Sequence, residues 1–219
     1  MTAPAALLRL LTWLSPAFPT GGFAYSHALE WSVAAGDVGT EAELIGWIAD
    51  ILVHGALWSD AILLRHAHRA GRDELAELAA LAAAMAPSLE RRLETLAQGA
   101  AFREAAKPWP APNLENWPDA PLPYPIAVGI LSAAQEIDED DAVLAFLHAG
   151  TANLVSAAMR LVPLGQSAGL RAQAELETLI LTTARLTKTA SVEDAGGFCL
   201  RADIASMRHE TQYTRLFRT

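Results

Sequence analysis

The chain has 219 residues, 52% apolar and 19% charged, with a formal net charge of -9. That length can bury a full core in one domain, and a balance rich in alanine and leucine with few aromatic or β-branched runs favours helices over strands. The excess of acid argues against a nucleic-acid binder, which would show a broad basic face; the single cysteine, Cys199, excludes an internal disulfide and a multi-cysteine zinc site, and fits a reducing, cytoplasmic home.

Leu7, Leu10, Leu11 and Leu14 recur at helical spacing and predict a short first helix with one inward face. No basic run precedes this apolar stretch and Arg9 interrupts it, which argues against a signal peptide. Ser15-Pro16 and Phe18-Pro19 stop the helix. Thr20-Gly21-Gly22-Phe23-Ala24-Tyr25-Ser26-His27 then reads as a tight turn feeding a helix that runs to about Ala35. Gly21 and Gly22 admit positive φ or a close backbone approach. A glycine pair before a helix also suits an anion nest, but no phosphate-motif lysine lies beside it, and a structural turn is preferred. Phe23 and Tyr25 straddle the turn, so at least one of them is expected near the surface.

Thr40 with Glu43 three residues on forms a capping-box pattern and opens a helix whose Leu44, Ile48, Ile51, Leu52 and Gly55 share a face. It is expected to run, or kink, through Asp60 to about His68. Gly71-Arg72-Asp73 separates it from an alanine-rich helix to Met85; Pro87-Ser88 restarts a helix with Leu89, Leu93 and Leu96 as its inner stripe. Prolines at 108, 110, 112, 118, 121, 123 and 125 make 107–125 a surface loop between two helical halves. Trp109 and Trp117 should hold it against the body.

Helix resumes at about Tyr124. Asp138 caps the next helix, whose acidic first turn suits its dipole, and Val143, Leu147, Gly150, Leu154 and Leu161 form its buried stripe. The uncharged stretch 142–159 approaches membrane-span length, but His148, Asn153 and Ser156 within it favour a core helix. Asn153, Ser156 and Arg160 make a second stripe leading to Pro163 and Gly165, which end the helix before Gln166 opens another. Arg160 with Gln166 is expected to clamp the free carbonyls beside Pro163. Leu176, Leu179, Ile180 and Leu186 line a last long helix, and Gly196-Gly197 releases the chain into its terminal segment. The expected fold is all-α, a single-domain bundle of roughly eight to ten helices spanning 1–219.

The segment 201–219 holds four arginines and two acids in an otherwise acidic chain, with Met207, Tyr213, Leu216 and Phe217 among Arg208, His209, Glu210 and Arg215. Large anchors beside arginines are the composition of protein contact surfaces. The same spacing also fits a last helix docked on its own domain.

Chemistry-bearing motifs are sparse. No P-loop, H-E-x-x-H or G-x-S-x-G occurs. His66 and His68 point to different sides of a helix and are expected in solvent; His27 and Glu30 share a face as a surface hydrogen bond, and His54 reads as partly buried. Cys199, between Phe198 and Leu200, reads as packing.

Three stretches together carry a resemblance. They are Leu14-Ser15-Pro16 with Phe18 through Glu30; Ala157-Ala158-Met159-Arg160-Leu161-Val162-Pro163-Leu164-Gly165-Gln166; and Met207 through Phe217. In this order they resemble the urease accessory protein UreF family across the whole chain. Two departures stand out: the proline-rich loop is longer than usual, and Ala28 replaces the family's glycine before Leu29-Glu30. The resemblance implies an all-helical homodimer without catalysis of its own. Such a protein joins a UreD-type (or UreH-type) accessory protein and recruits the nickel-carrying UreG-type GTPase that serves apo-urease. It also implies no tightly bound cofactor, nickel being handled by the assembled complex. The terminal segment is implied to order against the UreD-type partner, with Arg215 supporting GTPase recruitment and Phe23 on the same surface. Tyr25 belongs to that turn, Gly21 and Gly22 form it, and Arg160, Pro163, Gly165 and Gln166 are a structural signature. Two other classes remain open: an enzyme using His209 and Glu210 as acid and base, for which a solvent-exposed terminus is poorly suited, and a nickel-storage protein, which calls for more than six histidines and one cysteine.

Overall fold

Caps and breakers cut the chain where the sequence places them. In this computed structural model, residues 4–219 are described. Pro4–Trp13 (α1) leads through a bend to a single 3-10 turn at Gly22–Ala24 and the short Leu29–Ala34 (α2). Glu41–His54 (α3) opens on the capping box: the Thr40 hydroxyl accepts from Glu43 N–H, and the Glu43 carboxylate accepts from the Gly39 and Thr40 N–H groups. Then follow Ala56–Arg69 (α4), Arg72–Ala84 (α5), Leu89–Ala105 (α6), the four-residue Pro112–Glu115 (α7) and Tyr124–Ala134 (α8). Asp138 accepts from Asp140 and Asp141 N–H and opens Glu139–Leu161 (α9); Gln166–Leu186 (α10) and Leu200–His209 (α11) complete the set. Among the described residues there is no strand, so the fold is all-α, ten helices of six residues or more plus the single turn of α7.

α4 runs through the middle of the core, with Ala61, Ile62 and Leu64 fully buried. Its backbone lies so close to α8 that a Cβ on Gly129 would fall 2.5 Å from the Leu64 carbonyl oxygen. The proline-rich stretch is fastened to this core, as its tryptophans led us to expect. Ala111, Leu114, Trp117 and Leu122 are buried, and Trp109 meets Trp13 edge-on at 5.6 Å.

Several expectations need correction. On α1 the inward residues are Ala6, Leu10 and Trp13, while Leu7 and Leu11 face outward and Leu14 is half-buried. The glycine turn does not run straight into helix: His27 and Ala28 adopt left-handed φ of 51° and 63°, and α2 starts only at Leu29. Of the two courses open to the helix after Thr40, the structure takes the kink, at Gly55, and helix resumes at Ala56 to run to Arg69. On α6 the inner stripe is polar: Glu90, Glu94, Thr95 and Gln98 are buried, while Leu89 and Leu93 are 57% and 56% exposed. His54 is exposed, and His66 and His68 are half-buried donors to the Ala190 and Ile137 carbonyls. Leu186 faces solvent.

Two stretches are long and apolar enough to cross a membrane, Glu41–Arg69 and Glu139–Leu161. The first is broken at Gly55, and both bury half or more of their apolar window inside the molecule, which is the pattern of core helices.

Candidate functional site

The glycine turn, the end of α9 and the terminal segment converge on one place. Gly21 takes a φ of +75°, a conformation that penalises any side chain, and the 3-10 turn then gives way to extended backbone at Tyr25. The two aromatics separate accordingly: Phe23 is 67% exposed and Tyr25 only 6%. From α9, Asn153 Nδ2 donates to the Tyr25 carbonyl at 3.2 Å, and Arg160 Nη2 donates to the Phe23 carbonyl at 2.8 Å. The same guanidinium lies 4.2 Å from the ring centroid of Phe217, a cation–π contact. Beyond α11 the chain turns back along the glycine turn. Arg218 N–H donates to the Ala24 carbonyl, and Ser26 donates through both N–H and Oγ to the Thr219 carbonyl, at 2.6–2.8 Å.

The polar face of α6 explains how this terminal segment is seated. Leu216 and Phe217 have no main-chain partner for their N–H groups; both donate to the Glu30 carboxylate, at 2.6 and 2.8 Å. Glu90 accepts from Arg215 Nη1 at 2.8 Å and from His209 Nδ1 at 2.7 Å, and the other nitrogen of that imidazole lies 3.3 Å from Glu30. Glu94 pairs with His27 at 2.8 Å and accepts from Gln98 and the Thr219 hydroxyl. Arg91 pairs with Asp60. Burial opposes the charge on Glu94, yet His27 and Arg91 beside it, with hydrogen bonds from His27 and Thr219, outweigh burial and hold its carboxyl at about 2. At Glu90 burial prevails over His209 and Arg215, and its carboxyl is pushed up; burial does the same to Asp60 against Arg91 and His27. Four buried carboxylates thus face two arginines and two histidines, the compensation that buried charge requires.

Arg215 also closes the loop that bears it. Its Nε donates to the Gln212 carbonyl at 2.8 Å and its Nη2 to the Glu210 carbonyl. Glu210 in turn accepts from Leu89 N–H at 3.0 Å, satisfying a free donor at the start of α6.

The sequence-predicted contact residues divide by exposure. Phe23, Met207, Arg208, Tyr213, Arg215 and Leu216 are exposed and Glu210 is half-buried. Tyr25, His209 and Phe217 are inside, so in this conformation they hold the segment to its own domain rather than present it. Arg160 does clamp a carbonyl, as expected, but that of Phe23 rather than one beside Pro163, because the end of α9 abuts the glycine turn. Gly165 is the residue before α10 and Gln166 its first, both exposed with Pro163. His27 and Glu30 are not paired with each other; the two left-handed residues between turn and helix send one toward α6 and the other toward the terminal segment. Sequence reasoning missed Ser26, Glu30, Glu90 and Glu94. Acids spaced i, i+4 on α6 beside arginines are the ordinary pattern of a solvated face, and nothing in the spacing said otherwise.

Leu200, Ile204 and Met207 form an exposed row on α11, and Leu89 and Leu93 of α6 and Tyr213 and Leu216 of the terminal segment are exposed as well. Beside the row lies a groove of about 390 Å³ lined by Met85, Pro87, Leu200, Ile204 and Met207. Among the described residues no group of three or more His, Cys, Asp and Glu is placed to hold a metal ion. His209 and Glu210 do not meet over an open site, the first being wholly buried and the second bonded to the α6 backbone.

Comparison with known proteins gives one answer. The family model described as UreF matches residues 38–177. The chain is 51% identical to a urease accessory protein UreF of Bradyrhizobium sp. (strain BTAi1 / ATCC BAA-1182), over 98% of this chain and 92% of the relative. It is 49% identical to that of Rhodopseudomonas palustris (strain HaA2), over 98% and 94%, and 47% identical to that of Xanthobacter autotrophicus (strain ATCC BAA-1158 / Py2), over 99% and 93%. These matches extend past the family model to take in both the glycine turn and the terminal segment, and the chain belongs to the UreF family of urease accessory proteins.

Proposed function

We propose that the chain works in urease maturation as a non-catalytic cytoplasmic adaptor. It binds a UreD/UreH-type accessory protein through the outer face of α11 and the exposed side of the terminal segment. The pair then recruits a UreG-type GTPase, and nickel destined for apo-urease is handled by that assembly rather than by a site within this chain. The observation that carries this reading is the exposed apolar row from Leu200 to Met207 with Tyr213 and Leu216, set beside Arg208 and Arg215 in a chain of net charge -9. Anchors of that size beside arginines are what contact surfaces select. Phe23 and the Arg215 loop flank the same edge of the molecule and are the GTPase-facing elements of the proposal. A second copy of the chain packs on another apolar face, where Leu7, Leu11, Leu144 and Leu181 line a groove of about 650 Å³ between α1, α9 and α10.

Size-exclusion co-elution with the two partners tests the adaptor. Removal of residues 210–219 should abolish co-elution with the UreD-type protein. Because that truncation also uncovers Phe217 and the buried carboxylates, the exposed-side pair Tyr213→Ala with Leu216→Asp is the cleaner variant, and a loss of about 2 kcal/mol or more is expected. Arg215→Ala should leave the UreD-type complex intact and release the GTPase. A truncated protein that still co-elutes at wild-type strength would refute the surface.

A further inference from the structure

Arg160 does two things at once. It is one residue from the end of α9, and its Nη2 fixes the carbonyl of Phe23, the residue that projects from the glycine turn. Its guanidinium face covers Phe217, which is 97% removed from solvent on the terminal segment (3% exposed). The two segments it joins also share main-chain hydrogen bonds, Arg218 N–H to the Ala24 carbonyl and Ser26 N–H to the Thr219 carbonyl. The turn is fastened at several points. Asn153 holds the Tyr25 carbonyl, the paired backbone of the terminal segment holds Ala24 and Ser26, Glu94 reaches His27 and Thr219 from α6, and Arg160 joins Phe23 to Phe217. Of these, Arg160 is the one that bonds the carbonyl of Phe23 itself. Without Phe217 beneath it, the guanidinium keeps only a long 3.4 Å contact from Nε to the Ser156 carbonyl of its own helix and loses the packing that points Nη2 at Phe23.

We infer that Arg160 is the positioning residue that makes the presentation of Phe23 depend on the seating of the terminal segment. Seating Phe217 fixes Arg160, and Arg160 fixes the backbone that aims Phe23 outward. By reciprocity, a partner that engages Phe23 tightens the hold on the terminal segment by the same factor. The inference deepens the adaptor reading, since Phe23 matters only if something binds there, but the coupling itself belongs to this chain alone.

Hydrogen exchange on the whole protein tests the coupling without any partner. Arg160→Met keeps the length of the stem and removes donor and charge. It should speed exchange about tenfold both at Ala24–Ser26 and at Leu216–Arg218, with α4 and α8 unchanged. Phe217→Leu should speed exchange at Ala24–Ser26, and the double variant should show little beyond either single change. Arg160→Lys, which retains a donor and a cation, should restore most of the protection, a rescue that simple packing would not give. Loosening of only one of the two segments in Arg160→Met, or effects that multiply in the double variant, would overturn the inference. A second arm measures UreG-type GTPase binding to the UreD-type complex, where Arg160→Met should cost as much as Phe23→Ala. If wild-type protein binds no GTPase while the exchange pattern holds, the adaptor reading fails and the coupling stands.

Discussion

Glu94 is fully buried and yet its carboxyl is held at about 2, against 4.5 in the unfolded chain. Burial works against its charge, and the pairing with His27 and Arg91 and the hydrogen bond from Thr219 overcome it. The sign follows from the direction of the shift. A depressed carboxyl contributes stability that is fully present above 4.5 and lost as pH falls toward 2. The full contribution is on the order of 3 kcal/mol. Glu94→Gln should therefore be less stable than wild type at neutral pH, and the gap should close as pH falls from 4.5 toward 2; thermal unfolding across that range would show it. A gap independent of pH would mean that the charge of Glu94 is not what holds the layer together. Glu90 has the opposite sign, because its raised carboxyl favours the fold below 4.5 and costs stability as pH rises. Ala28 is a smaller case of local cost. It holds a φ of 63° while fully buried, a conformation that disfavours a side chain by roughly 1–2 kcal/mol and is natural to glycine.

At the scale of the element, α6 separates what the sequence discloses from what it hides. Its start was legible from Ser88, which accepts from Arg91 N–H at 3.0 Å. Its inward face was not, since Leu89, Leu93 and Leu96 have helical spacing and Glu90, Glu94 and Gln98, at i, i+4 and i+8, have one that is equally helical. Only the partners decide between the two stripes: the acids face His27, His209, Arg215 and Thr219, which come from elsewhere in the chain. The glycines of the helices carry information of another kind. A Cβ on Gly99 would lie 1.8 Å from the Leu122 carbonyl oxygen, so Gly99→Ala must displace the proline-rich segment and should cost about 3 kcal/mol in urea unfolding. Gly46, inside α3 with nothing within 4 Å of its Cβ position, should gain about 0.5–1 kcal/mol on the same change. Equal responses at the two positions would contradict the close contact between α6 and the proline-rich segment.

For the molecule as a whole, the helical class, the helix starts at Thr40, Ser88 and Asp138 and the break at Gly71 were legible because they depend on neighbouring residues. The terminal segment was recognised as special by its composition, but whether it served a partner or its own domain was left open. In the described residues Phe217 and His209 serve its own domain, while Tyr213 and Leu216 stay outside. The outward leucines of α1 are the other feature that helical spacing misassigned. If they meet a second copy of the chain, Leu11→Asp should convert a dimer to a monomer in light scattering at micromolar concentrations while leaving the circular dichroism unchanged. A variant that remains dimeric would place the interface elsewhere.

The bond between the Arg218 amide and the Ala24 carbonyl joins residues nearly a full chain length apart. Closing a loop of that length from an unfolded chain costs about 2 kcal/mol more than closing one of twenty residues. Such a contact forms late, after the helices between have already brought the two segments together. Phe217 then lies outside the folding nucleus, and weakening it should accelerate unfolding while leaving the rate of folding almost untouched. What the terminal segment confers on the glycine turn is persistence rather than shape: the body folds first, and this last contact sets how long the finished surface endures before it opens again.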